Sequence, residues 1–304
     1  MTGLSPLAKL VLLIALVLSL LFFFTLLGIL FLLPEYGPGI IEKIANPDYG
    51  DPVFVNHLKL LQILNMAGGL LLPSLLFVFI TEVKPAEYLN IYPRKLWMPV
   101  IIAAIFILFA QPVIGLSNEL NSYLRLPEVF SSIEEWMFRT EQQATELTEA
   151  FLATTSYEGL MINVFMIAIL PAISEEILFR GVLAQLFREM TKSIHWAVLL
   201  SSLLFAAIHI QFYGFLPRFL LGMAFGYIFF STGNLWVPVM AHFINNLFAV
   251  LVTFLEQKSI IEIDAENLSS GNLVILSISI AVAGFLLYIL LRKQDGGNPG
   301  KVFH

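Results

Sequence analysis

The sequence contains no cysteine and little charge. Across its 304 residues, the absence of cysteine excludes disulfide frameworks, thiolate zinc sites, iron–sulfur clusters and cysteine nucleophiles. Lys and Arg number 16 against 22 Asp and Glu, and no basic block is long enough to follow a phosphate backbone, which excludes nucleic-acid binding. Charged residues make up only 12% of the chain, about half the share of a typical soluble domain, so they cannot cover a water-facing globule.

Apolar residues dominate the sequence instead. They make up 58% of the chain, and the mean hydropathy is +0.86. A transmembrane helix needs about 20 mostly apolar residues to cross a hydrocarbon core of about 30 Å. Stretches that approach this length lie at 7–33, 58–80, 96–116, 159–190, 194–213, 215–231, 235–255 and 272–291. The sequence therefore predicts an all-α, polytopic membrane bundle of about eight transmembrane helices.

The distribution of basic residues predicts the orientation of this bundle. Ten of the 16 Lys and Arg residues fall on the side of the predicted spans that holds the N-terminus. Because positive charge near span ends favours the cytoplasmic side, both termini are predicted to be cytoplasmic.

One stretch outside the spans, residues 117–158, is long enough to form structure of its own. Val129, Ile133 and Trp136 recur there at helical spacing, opposite an acidic face that includes Glu135 and Glu146. This pattern predicts an amphipathic helix lying along the membrane. It is expected to pack against the bundle or to gate access of a substrate.

Ionisable side chains inside the spans are confined to residues 159–255. Each costs about 2.5–3.5 kcal/mol at the bilayer centre, so each is a functional hypothesis. Glu176 and Arg180 are four residues apart and can pair on one helical face. Glu175 points about 100° away, which leaves it free for another partner, unless both carboxylates lie in water at the cytoplasmic end of the span. Pro171 is expected to kink the helix just before them.

Two later spans carry further polar groups at helical spacing. Phe205 and His209 are four residues apart, as are His242 and Asn246. A rise of about 1.5 Å per residue places Glu175 and these three polar side chains in one depth zone of the bundle. Scattered interfacial residues would not converge in this way, so the four are predicted to form one site.

The residue types of this site suit hydrolysis of an amide without a covalent intermediate. Glu175 and His209 can hold and deprotonate a water, with either as the general base. His242 and Asn246 can donate hydrogen bonds to the oxyanion that develops on the attacked carbonyl. No G-x-S-x-G turn surrounds Ser174 and H-E-x-x-H is absent, so neither a serine nucleophile nor a zincin site is predicted.

A metal site is the alternative for the same residues. Glu175, His209 and His242 offer the three ligands that a catalytic zinc needs. We favour a metal-free site, because His242 shares a helical face with Asn246 and no additional carboxylate is evident to orient the histidines.

The motifs resemble those of a known family. In chain order they read Glu175-Glu176-x-x-x-Arg180, Phe205-x-x-x-His209 and His242-x-x-x-Asn246. They are similar to the three signature motifs of the CAAX-protease and bacteriocin-processing (CPBP, or Abi) family of intramembrane proteases, which includes type II CAAX prenyl endopeptidases and lysostaphin-resistance-like proteins.

The resemblance implies peptide-bond cleavage in a bacterial cell membrane, of a prenylated, leader or membrane-protein peptide, by a glutamate-type or metalloprotease. It implies Glu175, His209, His242 and Asn246 as catalytic residues, with Glu176, Arg180 and Phe205 in support. The corresponding division of the chain is 1–158 for N-terminal helices, 159–255 for the catalytic core and 256–304 for a last helix with a polar tail.

Two other functions remain open from the sequence. A non-catalytic scaffold or bacteriocin self-immunity protein would gain nothing from charged groups that are costly to insert. A proton-coupled transporter commonly has repeated halves, whereas the polar residues here cluster in one third of the chain.

Overall fold

The computed structural model describes residues 3–92, 96–261 and 272–292. The predicted polar tail, 293–304, lies outside these ranges. Within them every regular element is helical, which confirms the all-α membrane fold. The principal helices are α1 (Pro6–Tyr36), α2 (Pro52–Thr81), α3 (Trp97–Ser122), α4 (Ser131–Leu152), α5 (Tyr157–Thr191), α6 (Ile194–Ala207), α7 (Phe215–Thr232), α8 (Trp236–Gln257) and α9 (Leu273–Leu291).

Seven of the nine principal helices in the described ranges are long and apolar enough to cross a membrane. The other two are α4 and α6. Helix α6 has 14 residues and therefore rises about 21 Å, which is short of a hydrocarbon core of about 30 Å. The prediction of a continuous span over 194–213 is wrong in this respect. The helix ends at Ala207, and Ile210 has a left-handed backbone with φ of 51°, so residues 208–214 form a loop.

Helix α5 holds the centre of the molecule. Its first half is interrupted by a π-helical segment, Val164–Ile169, and its second half by another, Ile177–Leu183. The α-helical stretch between them, Leu170–Glu176, carries Pro171. The predicted kink is therefore built as two widened turns on either side of the carboxylates, a form of helix irregularity that is frequent at functional sites.

Two apolar clusters pack around this helix. One joins α1, α2, α5 and α6 through side chains such as Phe77, Phe179 and Leu186. The other joins α3, α7, α8 and α9 through side chains such as Ile107, Ile228 and Ala241. Helix α8 also lies along the first half of α5. This packing brings polar groups of the two helices together, Glu176 with His242 and the Ile167 carbonyl with Asn246.

The amphipathic helix α4 covers one end of the bundle. Its C-terminal turns carry Leu147 and Phe151, which pack against α1 and α2. Its N-terminal half contacts the loop 208–214, where the Trp136 ring meets the Phe212 ring and Glu141 accepts a hydrogen bond from the Tyr213 amide. The helix thus joins the first part of the chain to the loop that carries His209.

Candidate active site

Pro171 shapes the segment of α5 that presents the two carboxylates. In a regular helix the carbonyl of Ile167 would accept a hydrogen bond from residue 171, but proline has no N–H to donate. Asn246 of α8 donates to this carbonyl instead, from Nδ2 at 3.0 Å. A side chain predicted for the site therefore also holds α8 against the interrupted helix.

Glu176 is the hub of a buried polar network. Its Oε1 accepts a hydrogen bond from Arg180 Nη1 at 2.6 Å and another from His242 Nδ1 at 2.9 Å. The predicted pairing of Glu176 with Arg180 is confirmed, and both side chains are fully buried rather than hydrated at a span end. Arg180 also donates from Nη2 to the carbonyl of Gly222 in α7, at 3.0 Å. The pair thus links α5, α7 and α8.

The side chain of Glu175 is free of such bonds. No side chain of the described ranges forms a hydrogen bond with its carboxylate, and His242 Nε2 lies 3.8 Å from Oε2. The residue as a whole is only 6% exposed. Glu175 therefore places an unengaged carboxylate beside an oriented imidazole in a nearly dry environment.

His209 lies just beyond the end of α6. Its Nδ1 is 2.7 Å from the carbonyl of Phe205. A carbonyl can only accept, so Nδ1 carries the proton and Nε2 of the neutral ring is left as an acceptor. Glu175 and His242 both interact electrostatically with the ring. The structure thus gathers His209 with the other three residues, although it forms no direct hydrogen bond with Glu175.

Aromatic rings enclose the charged groups. Phe205 meets the rings of His209 and His242 edge-on, at centroid distances of 5.1 and 6.0 Å. Phe225 stacks on His242 at 5.4 Å, and the guanidinium of Arg180 lies over both phenylalanines. Such contacts hold the imidazole and the guanidinium in fixed positions and exclude water from them.

The donor set does not form a three-ligand metal site as it stands. In the described part of the chain, no group of three His, Asp or Glu side chains is placed to hold a metal ion. The expectation that no carboxylate orients the histidines is nevertheless wrong for His242, because Glu176 binds its Nδ1. A backbone carbonyl does the same for His209.

Several contacts of the site were not predicted. Gly222 contributes a carbonyl, Phe225 a stacked ring and Ile167 a freed carbonyl, and nothing in the local pattern singles them out as partners. Arg218, near the start of α7, interacts electrostatically with Glu175. The sequence could have indicated Arg218 as a candidate site residue, because it is ionisable and lies within an apolar stretch.

Comparisons with known proteins agree with these motifs. Residues 157–248 match the family described as "Type II CAAX prenyl endopeptidase Rce1-like". The chain is 31% identical over 137 residues to the "Putative membrane peptidase YdiL" of Bacillus subtilis, covering 43% of this chain and 54% of that protein. No solved structure matches the chain.

Two further relatives have names that state no function. One is the "Uncharacterized protein YpbD" of Bacillus subtilis, 33% identical over 30% of this chain and 47% of its own length. The other is an "Uncharacterized 24.3 kDa protein" of Escherichia coli, 33% identical over 32% of this chain and 46% of its own length. The chain thus spans about half the length of the curated relatives it matches. Residues 157–248 carry the three motifs on α5, on α6 with the loop after it, and on α8, and are similar to the type II CAAX prenyl endopeptidase Rce1-like family.

Proposed function

We propose that the protein is an intramembrane endopeptidase that hydrolyses a peptide bond by direct attack of water. The observation that carries the proposal is the placement of His242 between two carboxylates in the interior of the bundle. Its Nδ1 is bound to Glu176, and its Nε2 faces Glu175 at 3.8 Å. A structural ion pair has no need of the second, unengaged carboxylate.

Glu175 is the proposed general base. Its carboxylate forms no hydrogen bond with a described residue and can accept a proton from water. His209 holds the same water through Nε2, because its Nδ1 proton is committed to the Phe205 carbonyl. Because these two acceptors engage both hydrogens of the water, an oxygen lone pair is turned towards the substrate carbonyl.

His242 and Asn246 are the proposed oxyanion donors. Nδ1 of His242 donates to Glu176, so the ring must also carry a proton on Nε2 in order to donate to the oxyanion. Asn246 uses one amide hydrogen on Ile167 and retains a second for the oxyanion. Preorganised donors of this kind lower the barrier because they need no rearrangement during the reaction.

The proposed reaction balances without a covalent enzyme intermediate. The oxygen of water bonds to the carbonyl carbon while its proton passes to Glu175. The tetrahedral intermediate then collapses, the C–N bond breaks, and Glu175 returns the proton to the leaving amine. The products are a carboxylic acid and an amine, and Glu175 is again ionised.

The substrate is proposed to be a membrane-associated peptide, of which a prenylated CAAX peptide, a leader peptide and a membrane-protein segment are the three candidates. Purified protein should be incubated with one peptide of each class, beside Glu175→Gln protein prepared in the same way. We expect the wild type to cleave one class and the variant to cleave none. Failure of the wild type on all three classes would instead favour a scaffold or immunity role.

The two proposed oxyanion donors should affect the rate of cleavage more than the binding of substrate. We expect His242→Ala and Asn246→Ala each to lower kcat by about 10²–10³, with little change in KM, because they act on charge that exists only in the transition state. Steady-state kinetics on the cleaved peptide measures both constants. His195→Ala is a suitable control, since His195 is exposed at the start of α6 and binds Tyr227 rather than a residue of the site. A large rise in KM at unchanged kcat would assign the two residues to substrate binding.

We further propose that catalysis uses no metal, on the ground that His242 Nε2 faces Glu175 and shares a helical face with Asn246. We expect elemental analysis of purified active protein to find far less than one zinc per chain. Near-stoichiometric zinc that is lost in His209→Ala protein, and whose return restores activity to stripped wild type, would contradict this. Because a buried ion exchanges slowly, metal content is a better measurement than sensitivity to chelators.

A further inference from the structure

Two arginines lie near the site, one fully buried and one half-buried, and their partners differ. Arg180 has its guanidinium satisfied by Glu176, by the carbonyl of Gly222 and by two aromatic rings. Arg218 has one hydrogen bond, from Nη2 to Oε1 of Gln211 at 2.5 Å. Its Nη1 is buried and has no hydrogen-bond partner among the described residues. Arg218 can therefore donate a further hydrogen bond to a ligand, whereas the donors of Arg180 are already engaged.

No direct ion pair with a described residue neutralises Arg218. The carboxylates that act on it electrostatically are Glu141 and Glu175. Glu141 directs Oε2 to the amide of Tyr213, and neither carboxylate forms a salt bridge with Arg218 in the described structure. A charged donor that is buried without an acceptor is costly, so a protein that needed Arg218 only for packing would be expected to pair it.

The position of Arg218 relates it to the reaction. It lies near the start of α7, directly after the loop 208–214, and it interacts electrostatically with both Glu175 and His209. Asn121 of α3 clamps this region by donating to the Phe212 carbonyl and accepting from the Leu216 amide. The start of α7 is thus held against α3, and from there the charge of Arg218 acts on both Glu175 and His209.

We propose that Arg218 binds a carboxylate of the peptide substrate and so determines specificity for substrates that carry one close to the scissile bond. This proposal rests on the proposed peptidase function. A guanidinium presents its donors in a planar fork that matches a carboxylate, and a charge-assisted bond in a buried site contributes strongly to binding. Arg218 is partly exposed as a whole, and Nη1 is its terminal nitrogen without a partner among the described residues, so Nη1 is the donor that we assign to the carboxylate.

The carboxylate has two possible sources, the free C-terminus of the peptide or an acidic side chain near it. We would prepare a fluorescent peptide with a prenylated cysteine followed by three aliphatic residues in three forms. These are the C-terminal acid, the C-terminal amide, and the amide with Asp as its last residue. Cleavage of the acid but not of either amide identifies the C-terminus, whereas cleavage of the Asp amide shows that a side chain suffices.

The decisive measurement is the ratio of kcat/KM for the better of the two carboxylate peptides to that for the plain amide. We expect the wild type to favour the better carboxylate peptide by about 10- to 100-fold, the range of a charged hydrogen bond. Arg218→Gln should bring the ratio close to one, and Arg218→Lys should keep part of it. Asn121→Ala is the control for a structural effect, because a loosened loop should slow all three peptides alike. An unchanged ratio in Arg218→Gln, or no preference in the wild type, would overturn the proposal.

Binding to Glu175→Gln protein separates this proposal from the peptidase function. Fluorescence anisotropy with the same peptides reports carboxylate recognition without cleavage. The wild type could cleave none of these peptides while Glu175→Gln protein still binds a carboxylate peptide more tightly than the plain amide. If the added change Arg218→Gln then removes this preference, only the peptidase function is contradicted. Equal binding of all three forms would overturn the role of Arg218.

Discussion

Replacing Glu175 by Gln is expected to lower peptide cleavage by about 10²–10⁴ while the protein remains folded. Gln has the same shape as Glu but cannot accept a proton from the catalytic water. The carboxylate forms no hydrogen bond with a described residue, so the exchange breaks none and removes only the charge that faces His242 at 3.8 Å. Cleavage rates and the thermal unfolding midpoint, measured in the same detergent, check the two parts of this expectation.

His209→Ala is expected to cause a similar loss, and the double variant with Glu175→Gln little more than either alone. Both groups act on the same water, so losing either one already removes most of the rate enhancement, and the two effects are not additive. Glu158→Gln is a matched control, since Glu158 is an exposed carboxylate at the start of the same helix. Wild-type cleavage by either site variant would exclude the proposed mechanism.

Arg180→Ala is expected to damage the fold more than any other single change near the site. Removal of one partner leaves Glu176 buried without its compensating charge, at a cost of about 3–5 kcal/mol. The bond to the Gly222 carbonyl and the packing between Phe205 and Phe225 are lost as well. We expect little monodisperse protein on size-exclusion chromatography.

A second variant separates folding from activity. Combining Glu176→Leu with Arg180→Met removes both buried charges, and apolar replacement of a buried pair is often neutral for stability. We expect this protein to be monodisperse again but inactive, since His242 then has no carboxylate to orient it. Arg139→Ala is the control, because Arg139 pairs with Glu135 on the exposed surface of α4 and contributes little. A monodisperse Arg180→Ala protein with the wild-type midpoint would show that Glu176 needs no cation.

The composition and hydropathy of the chain were sufficient to determine a helical membrane bundle. Apolar stretches of sufficient length must cross the membrane or be buried in protein. The described structure has a helix at every stretch that was predicted to span the membrane. The exception in length is α6, which ends at Ala207. Hydropathy did not reveal this, because Ile208 and Ile210 are as apolar as the helix before them and the end depends on the left-handed backbone at Ile210.

Within the site, the sequence by itself determined the contacts that a single helix creates. Glu176 and Arg180 are four residues apart on α5, so helix geometry alone brings them together, and the same holds for His242 and Asn246 on one face of α8. Only the tertiary structure decided that Glu176 also binds His242, 66 residues away, and that Asn246 binds Ile167, 79 residues away. A periodic pattern describes which face of a helix a residue occupies, but the face it meets depends on how distant helices pack.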